Sequence, residues 1–460
     1  MGRVLKNIDE RKNVSKDKTN EYVDKLIKMI NCKTVFMRDG SNDKEFAKFY
    51  QVIEDNFPLV HKIAKKLVFG SGCFVYVLEG ENATRNVMLM SHHDVVQETN
   101  GWHSDAFRTV IKDGSIYGRG TIDTKTPLFA QLQACEELLE QGWSFTDINV
   151  YIGSSNNEEV CGDGMVLATK YFKDNNIFFD VVLDEGGAIT TGMIPGYDGK
   201  SAMVAVHEKS RHMYKCVAKA LNKGHGGLNP NNDNVIVRLN SFIDDVNKRK
   251  VFASKFYPEV AQTFKCHAPY VKFPMNIVFG NLEIFSPIVK KIMMNIPVAR
   301  AMLSTSVTFT SYFAGSVQDP QIKAKEACTT MFVRCIREDD MNIGMEKIKA
   351  IGDKCGVEIT QVEKDYCKPS SFDSKEYKLV KEVLNENFPD VVVAPFLLTA
   401  GTDARRFSDV AKSILRFAPI DLDSKQYASI HGDDEHIKID SIGQCVCFYK
   451  DFLLKYEGEK

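Results

Sequence analysis

The sequence predicts an α/β fold in which a mostly parallel sheet is sandwiched by helices and a smaller α+β unit is inserted. Three observations lead there. Between residues 70 and 187, apolar runs of strand length alternate with segments of helical period. Near residue 209 a self-contained βαββαβ unit replaces this alternation. After about residue 369 the first pattern resumes, so the smaller unit lies inside the larger one.

The leading segment, residues 20–69, repeats apolar residues three and four apart in "YVDKLIKMI" and "KEFAKFYQVIEDNFPLVHKIAKKL", which predicts helices. Two strands follow, "FVYVLEG" and "NVMLMSH". The stretch "PLFAQLQACEELLEQG" is a helix whose Pro127 is tolerated in the first turn, where its missing N–H has no partner to lose. Then come the strand "DINVYIGSS", a helix over 164–173 and the strand "FDVVLDEGG". Strands alternating with helices imply parallel pairing, with both faces covered.

The inserted unit runs through strand "MYKCVAKAL", helix "NVIVRLNSFIDDV", strands "SVTFTSYFAG" and "ACTTMFVRCI", helix "NIGMEKIKAIGDKC" and strand "VEITQVEKDY". Inside it, residues 245–303 form a helical insertion punctuated by proline in "YPEV", "APYV", "FPMN", "FSPIV" and "IPVA". A helix "SKEYKLVKEVLNENF", a strand "SILRFAPI" and a last helix complete the chain. The expected division is therefore a larger domain from 1–208 and 369–460, with an inserted domain at 209–368.

Composition narrows the partners. A net charge of -2 and a pI near 6.6 provide no basic excess for nucleic acid or an anionic membrane, so neither is expected. The amino-terminal stretch lacks the apolar core of a signal peptide, and Lys6 stands where myristoylation wants Ser or Thr. The 12 cysteines form no C-x-x-C pair and sit among aliphatic residues, as buried thiols of a reducing cytoplasm would.

Five polar clusters fall at predicted strand ends or loops: "SHHD" at 91–94, "GRGTID" at 118–123, "SSNNEEVCG" at 154–162, "LDEGG" at 183–187 and "SIHGDDEH" at 429–436. In α/β sheets such ends are where ligands bind. Taken alone, "SHHD", "GRGTID" and "LDEGG" are more often turns or helix caps, whereas the adjacent glutamates of "NNEEV" point in different directions and suit one carboxylate for a metal and one for a proton. Together they supply two histidines and several carboxylates but no cysteine. That donor set suits Zn2+, Co2+ or Mn2+.

"LMSHHDVV", "YGRGTIDTK", "NNEEVCGDG", "LDEGG" and "IHGDDEH" resemble, in order and spacing, the motifs of the di-zinc aminoacylase and carboxypeptidase family, which includes acetylornithine deacetylase and carnosinase. The insertion, "APFLLTAGTDARRF" and "ILRFAPIDLDSKQYASIHG" are similar to its carboxypeptidase S, Gly-Xaa carboxypeptidase and N-acyl-amino-acid hydrolase branch. The resemblance implies a zinc-exopeptidase-like catalytic domain, an inserted lid and dimerisation domain, and two divalent metal ions, Zn2+ foremost. It implies that His92 and Glu185 bind one ion, Glu159 and His431 the other, and Asp123 both, with Asp184 the fallback for Glu185. Asp94 would orient His92 as a carboxylate behind it, and His93 would not be a ligand. Glu158 would be the general base.

His225 in "GHGGLNP" matches the family histidine that reaches the partner subunit's site and steadies the oxyanion, which implies a homodimer. Arg334 matches the lid arginine that takes a substrate's free carboxylate, and Thr402 and Arg405 match substrate-binding positions near the scissile group. Departures are Gln321 and Ala324 where the branch has Asn-x-x-Pro, Gln97 in place of a proline, and Gly226 and Gly227 in place of serines. They touch substrate choice and lid closure, not metal chemistry. The expected activity is hydrolysis of the amide bond next to the C-terminal amino acid of a short peptide, with N-acyl amino acids as the alternative substrate. An inactive scaffold of the same fold is a remote third reading.

Overall fold

The computed structural model describes residues 8–221, 233–315 and 322–458. Strand Arg85–Met90 pairs in parallel with Ile148–Ser154 on one side and Phe179–Asp184 on the other. All three are almost wholly buried, which is why they read as continuous apolar runs and not as alternating ones. They lie near the middle of a ten-stranded mixed sheet. Its order is Lys65–Phe69, Cys73–Leu78, Ile148–Ser154, Arg85–Met90, Phe179–Asp184, Ala411–Arg416, Lys200–Glu208, Ile189–Thr191 and Asp421–Leu422, with Val391–Leu398 also on Lys200–Glu208.

Helix Lys125–Glu140 is buried along nearly its whole length, including Gln131 and Glu136, because helices Lys16–Ile30 and Ile439–Gly458 pack over it. Its polar residues are not wasted there. Glu136 accepts from the amides of Leu59 and Val60, and Gln131 donates to the carbonyl of Met90 at the end of the central strand.

Lys65–Phe69, read from sequence as the end of a helix, is a strand at the sheet's edge, and two long strands escape the period-based reading altogether, Lys200–Glu208 and Val391–Leu398. The second contains Pro395, which has no N–H for a ladder. The structure accommodates it on a strand paired on one side only, with a register shift just after it at Phe396 and Leu397. Helix Pro258–His267 covers that strand, and Thr263 donates to the Pro395 carbonyl at 2.6 Å.

The second sheet is antiparallel, with strands Ser306–Phe309, Glu326–Cys335, Ser210–Lys219 and Val357–Asp365 in that order and Phe313–Ala314 on Glu326–Cys335. Inward residues such as Cys216, Ala218, Met331 and Val333 meet Leu239 and Phe242 of helix Val235–Lys248 and Ile348 of helix Glu338–Cys355. The latter helix stops at Gly356, whose φ of +61° is the left-handed conformation glycine adopts without penalty. Lys209 alone separates the strand ending at Glu208 from the one starting at Ser210.

The helical insertion, read from sequence as part of the small unit, packs elsewhere. Val260, Phe264, Phe279, Leu282 and Leu303 share a core with Val392, Phe396, Leu397 and Leu398 of the large sheet. A buried ionic cluster fixes it: Arg337 Nη2 donates to both oxygens of Glu259 at 3.0 and 2.8 Å, and His207 Nδ1 lies 3.4 Å from Glu259. Burial opposes ionisation of Glu259, but His207 and Arg337 outweigh it and bring its pKa down to about 2. Because the folded value lies below the unfolded 4.5, the stabilisation is present above about pH 4.5 and lost as pH falls through about 2. Glu259→Gln should cost about 3 kcal/mol in urea unfolding at pH 7, and the difference from the parent should shrink steadily as unfolding is repeated toward pH 2.

Candidate metal centre and active site

The three central parallel strands end on one edge of the sheet. There they deliver His92 to Asp94, Glu158 with Glu159, and Glu185. A small three-stranded sheet brings the other two motifs to the same place. Strand His436–Lys438 pairs with Ser115–Tyr117, so the loop carrying His431 lies beside the loop carrying Asp123.

His92 Nε2 lies 2.9 Å from Asp123 Oδ1, while His431 Nε2 lies 2.9 Å from Asp123 Oδ2 and 3.1 Å from Glu159 Oε2. One carboxylate is thus shared by two imidazoles. Ligand atoms of His92, Asp123 and Glu159 all fall within 4.8 Å of one another. His431 holds its position with a left-handed backbone, φ +59°, a conformation that costs a non-glycine residue about 1 kcal/mol or more.

Burial disfavours a charged His92, yet hydrogen bonds to Asp123 and Asp94 raise its pKa well above the ordinary range. His431 is raised to about 10 by Asp123 and Glu159. Burial opposes ionisation of Asp123, but His431 and His92 hold it below the usual carboxylate range. Glu158 is pushed well up by burial and by the charges of Asp403, Asp94 and Glu159, against the pull of His92. Glu185 is pushed up by burial and by Asp123 and Asp184. So much negative charge gathered in one cavity is what a divalent cation relieves. Glu159 Oε1 points the same way, being buried without a hydrogen-bond partner among the described residues. The donor set therefore fits metal ions.

Asp94 meets His92 through both its backbone and its side chain. The hydrogen bond that orients His92 runs from Nδ1 to the backbone carbonyl of Asp94 at 2.9 Å, with the carboxylate oxygen 3.5 Å away. That carboxylate also accepts from the amides of Glu158 and Glu159 at 3.1 and 3.0 Å. It locks the turn that aims both glutamates.

Asp184 Oδ1 accepts from the Glu185 amide and Oδ2 from the Ala404 amide, each at 2.9 Å, whereas the Glu185 carboxylate has no hydrogen bond among the described residues. Glu158 is likewise unengaged among them and lines the same cavity as Glu185. His93 faces the other way. It stacks on Phe49 and Phe74, bonds Ser154 Oγ at 2.8 Å, and is kept neutral by burial and by the nearby charges of Lys125 and His92.

Glu435, which sequence reasoning passed over, is fully buried. Its Oε2 accepts from Arg119 at 2.7 Å and from the Gly120 amide at 3.1 Å, and its Oε1 from the amides of Ile122 and Asp123 at 2.7 and 3.1 Å. Arg119 also donates to the Gly432 carbonyl at 2.7 Å, tying the two motif loops together. The only signal in the sequence was a third acid in "GDDEH".

Of the expected substrate-binding residues, Thr402 and Arg405 are engaged inside the protein. Thr402 Oγ1 donates to Glu208 at 2.8 Å; Arg405 donates to Asp365 and to the Thr402 carbonyl, both at 2.6 Å. Arg334 is different, being half-buried with no acidic partner among the described residues and depressed by burial and by Arg405. A Cβ built on Gly401 would stand 2.9 Å from Arg405 Nη1 and 3.2 Å from Arg334 Nη1. The bare glycine therefore lets both guanidinium groups pack against a residue that itself lines the cavity. His225, Gly226, Gly227 and Gln321 lie outside the described residues. Gln97 donates to the Met37 sulfur, and Ala324 packs on the small unit's core.

The cavity has a volume of about 320 Å³. His92, Asp123, Glu158, Glu159, Glu185 and His431 form its polar floor, and Leu398, Ala418, Ile420, Leu422 and Ile430 an apolar wall. Residues 88–455 match peptidase family M20/M25/M40. The chain belongs to that family. It is a hydrolase of the metallopeptidase class. It is 28% identical over 449 residues to a probable carboxypeptidase S-like protein 2 of Dictyostelium discoideum, covering 95% of this chain and 85% of that one. It is 26% identical over 428 residues to the N-fatty-acyl-amino acid synthase/hydrolase PM20D1 of Mus musculus, covering 91% and 84%. Among solved structures, the M20 family metallo-carboxypeptidase Sso-CP2 of Sulfolobus solfataricus superposes with a TM-score of 0.69 at 18% identity, over 95% of this chain and all of that one.

Two outcomes follow for this M20 chain. Glu435→Gln leaves Arg119 buried against a neutral amide and loosens the Asp123 loop, so affinity for divalent metal in a chelator competition should fall by about 10- to 100-fold. His93→Ala should lower the melting temperature while metal analysis still finds the parent's metal content.

Proposed function

We propose that this chain is a two-metal amidohydrolase of Gly-Xaa carboxypeptidase or dipeptidase type, cleaving the amide bond next to the free C-terminal amino acid of a short peptide. The observation that carries this reading is the sharing of Asp123 by His92 and His431 above unengaged Glu158 and Glu185. His92, Asp123 and Glu185 would hold one ion, and Asp123, Glu159 and His431 the other, with Zn2+ first and Co2+ or Mn2+ also suited. Bound there, the ions supply Lewis acidity toward the scissile carbonyl and acidify a water.

Glu158 takes the proton from the attacking water and returns it to the departing amine, a task that calls for a buried carboxylate with a raised pKa, as its burial supplies. Arg334 receives the substrate's free carboxylate at the rim near Gly401. Thr402 and Arg405 shape the wall behind it through Glu208 and Asp365. We further assign the unit 209–368 as a lid and dimerisation domain, with His225 completing the partner's site in a homodimer. A cytoplasmic setting is supported by the twelve cysteines, all of them free. Among the described residues no helix is long and apolar enough to cross a membrane.

A second reading, hydrolysis of N-acyl amino acids, is favoured by the apolar wall of Leu398, Ile420, Leu422 and Ile430, which suits an acyl chain as well as a side chain. Purified metal-loaded protein assayed on Gly-Leu-type dipeptides, tripeptides, N-acetyl and long-chain N-acyl amino acids separates the two. The proposal expects the highest kcat/KM on the dipeptides, and hydrolysis that persists after complete metal removal would sink the mechanism. Glu158→Ala should lower kcat by roughly 10²- to 10⁴-fold with metal content intact, whereas metal loss would mean that Glu158 is a ligand.

A further inference from the structure

The helix Leu282–Met293 of the insertion has an inner face of ordinary character. Leu282, Val289 and Met293 are buried against Phe264, Phe279 and Leu303. Its outer face is apolar too. Ile284, Ile288 and Ile292 recur every fourth residue and continue to Ile296, at 72%, 62%, 59% and 47% exposure. The preceding segment adds Phe273 at 78% and Ile277 at 45%. A surface helix normally turns charge toward water, and a contiguous apolar patch of several such side chains marks a docking surface.

The charges around the ridge say what docks there. Between Lys265 and Arg300 the chain carries five lysines and arginines and one acid, Glu283, which is ion-paired with Lys265. Lys272, Lys291 and Arg300 are exposed. The whole chain has a net charge of -2, so this positive excess is local. The expectation of no membrane partner rested on the whole-chain charge and on the lack of a continuous basic run; here the basic residues are spaced along the chain.

We propose that this face docks the protein on an anionic lipid surface. The helix lies in the interface plane, with Phe273 and the isoleucine ridge entering the boundary between headgroups and acyl chains, and the basic residues meeting the headgroups. A second copy of the chain suits the ridge less well, because a two-fold contact would set one basic rim against another. The inner side of the same layer packs on Leu397 and Leu398, and Leu398 lines the catalytic cavity. The docked face therefore belongs to the layer that backs the cavity's apolar wall.

The test is cosedimentation of the full metal-loaded chain with vesicles of phosphatidylcholine, with and without phosphatidylserine. The parent should bind the phosphatidylserine vesicles more tightly, and less so as salt is raised. Ile288→Glu with Ile292→Glu should weaken binding about tenfold or more while hydrolysis of a small soluble substrate stays at the parent's rate. Lys291→Glu with Arg300→Glu should abolish the preference for phosphatidylserine. If the isoleucine variant misfolds, Phe273→Trp provides the second readout: the indole emission it adds over the parent should be quenched by brominated lipid. Vesicle binding that is absent, or equal in parent and variants, or an added emission in the Phe273→Trp variant that is indifferent to brominated lipid, overturns the proposal. So does light scattering in which the isoleucine substitutions halve the mass of a dimer, because the ridge would then be an interface between copies.

Discussion

The buried carboxylate of Glu435 is the constraint on which the centre depends. Five groups converge on it: the Arg119 guanidinium, the Thr121 hydroxyl and the amides of Gly120, Ile122 and Asp123. Asp123 comes from a loop with no strand of its own, so its position between two imidazoles has to be imposed from outside. Glu435 imposes it, and Arg119, through the Gly432 carbonyl, passes the same constraint to the loop of His431. Removing a partner from such a buried set costs more than the set contributes net, since the remaining charge is left without solvent.

The same device recurs around the cavity. Asp94 spends its carboxylate on the amides of Glu158 and Glu159, and Asp184 on those of Glu185 and Ala404. Glu208 gathers Thr402 and Arg416 where the chain passes from one sheet to the other. Asp94 and Asp184 thereby hold backbone so that Glu158, Glu159 and Glu185 stay free of internal amides. A carboxylate committed to backbone N–H groups makes a poor ligand or base. Adjacent acids in the sequence have divided these roles.

Much of the architecture was legible because burial writes itself into period. Buried parallel strands such as Val87 to Met90 are unbroken apolar runs, and the small unit's alternating strands are buried on one face only. Val391–Leu398 was hidden by Pro395, whose strand pairs on one side only and is covered by a helix from another part of the chain. The insertion's seat on the large sheet was hidden for a related reason: apolar residues declare that a face is buried, not what buries it.

By itself the sequence determined the α/β class, the inserted βαββαβ unit, the ordered motifs and the chemical types gathered at strand ends, since each depends on residues near one another in the chain. Only the tertiary structure decided which acid in each pair is free, that the backbone carbonyl of Asp94 receives the His92 hydrogen bond, that Glu435 anchors Asp123, and that Arg334 has no acidic hydrogen-bond partner among the described residues. The physical reason is that a carboxylate's role is set by where its hydrogen bonds go. For Glu435 those partners lie more than 300 residues away along the chain.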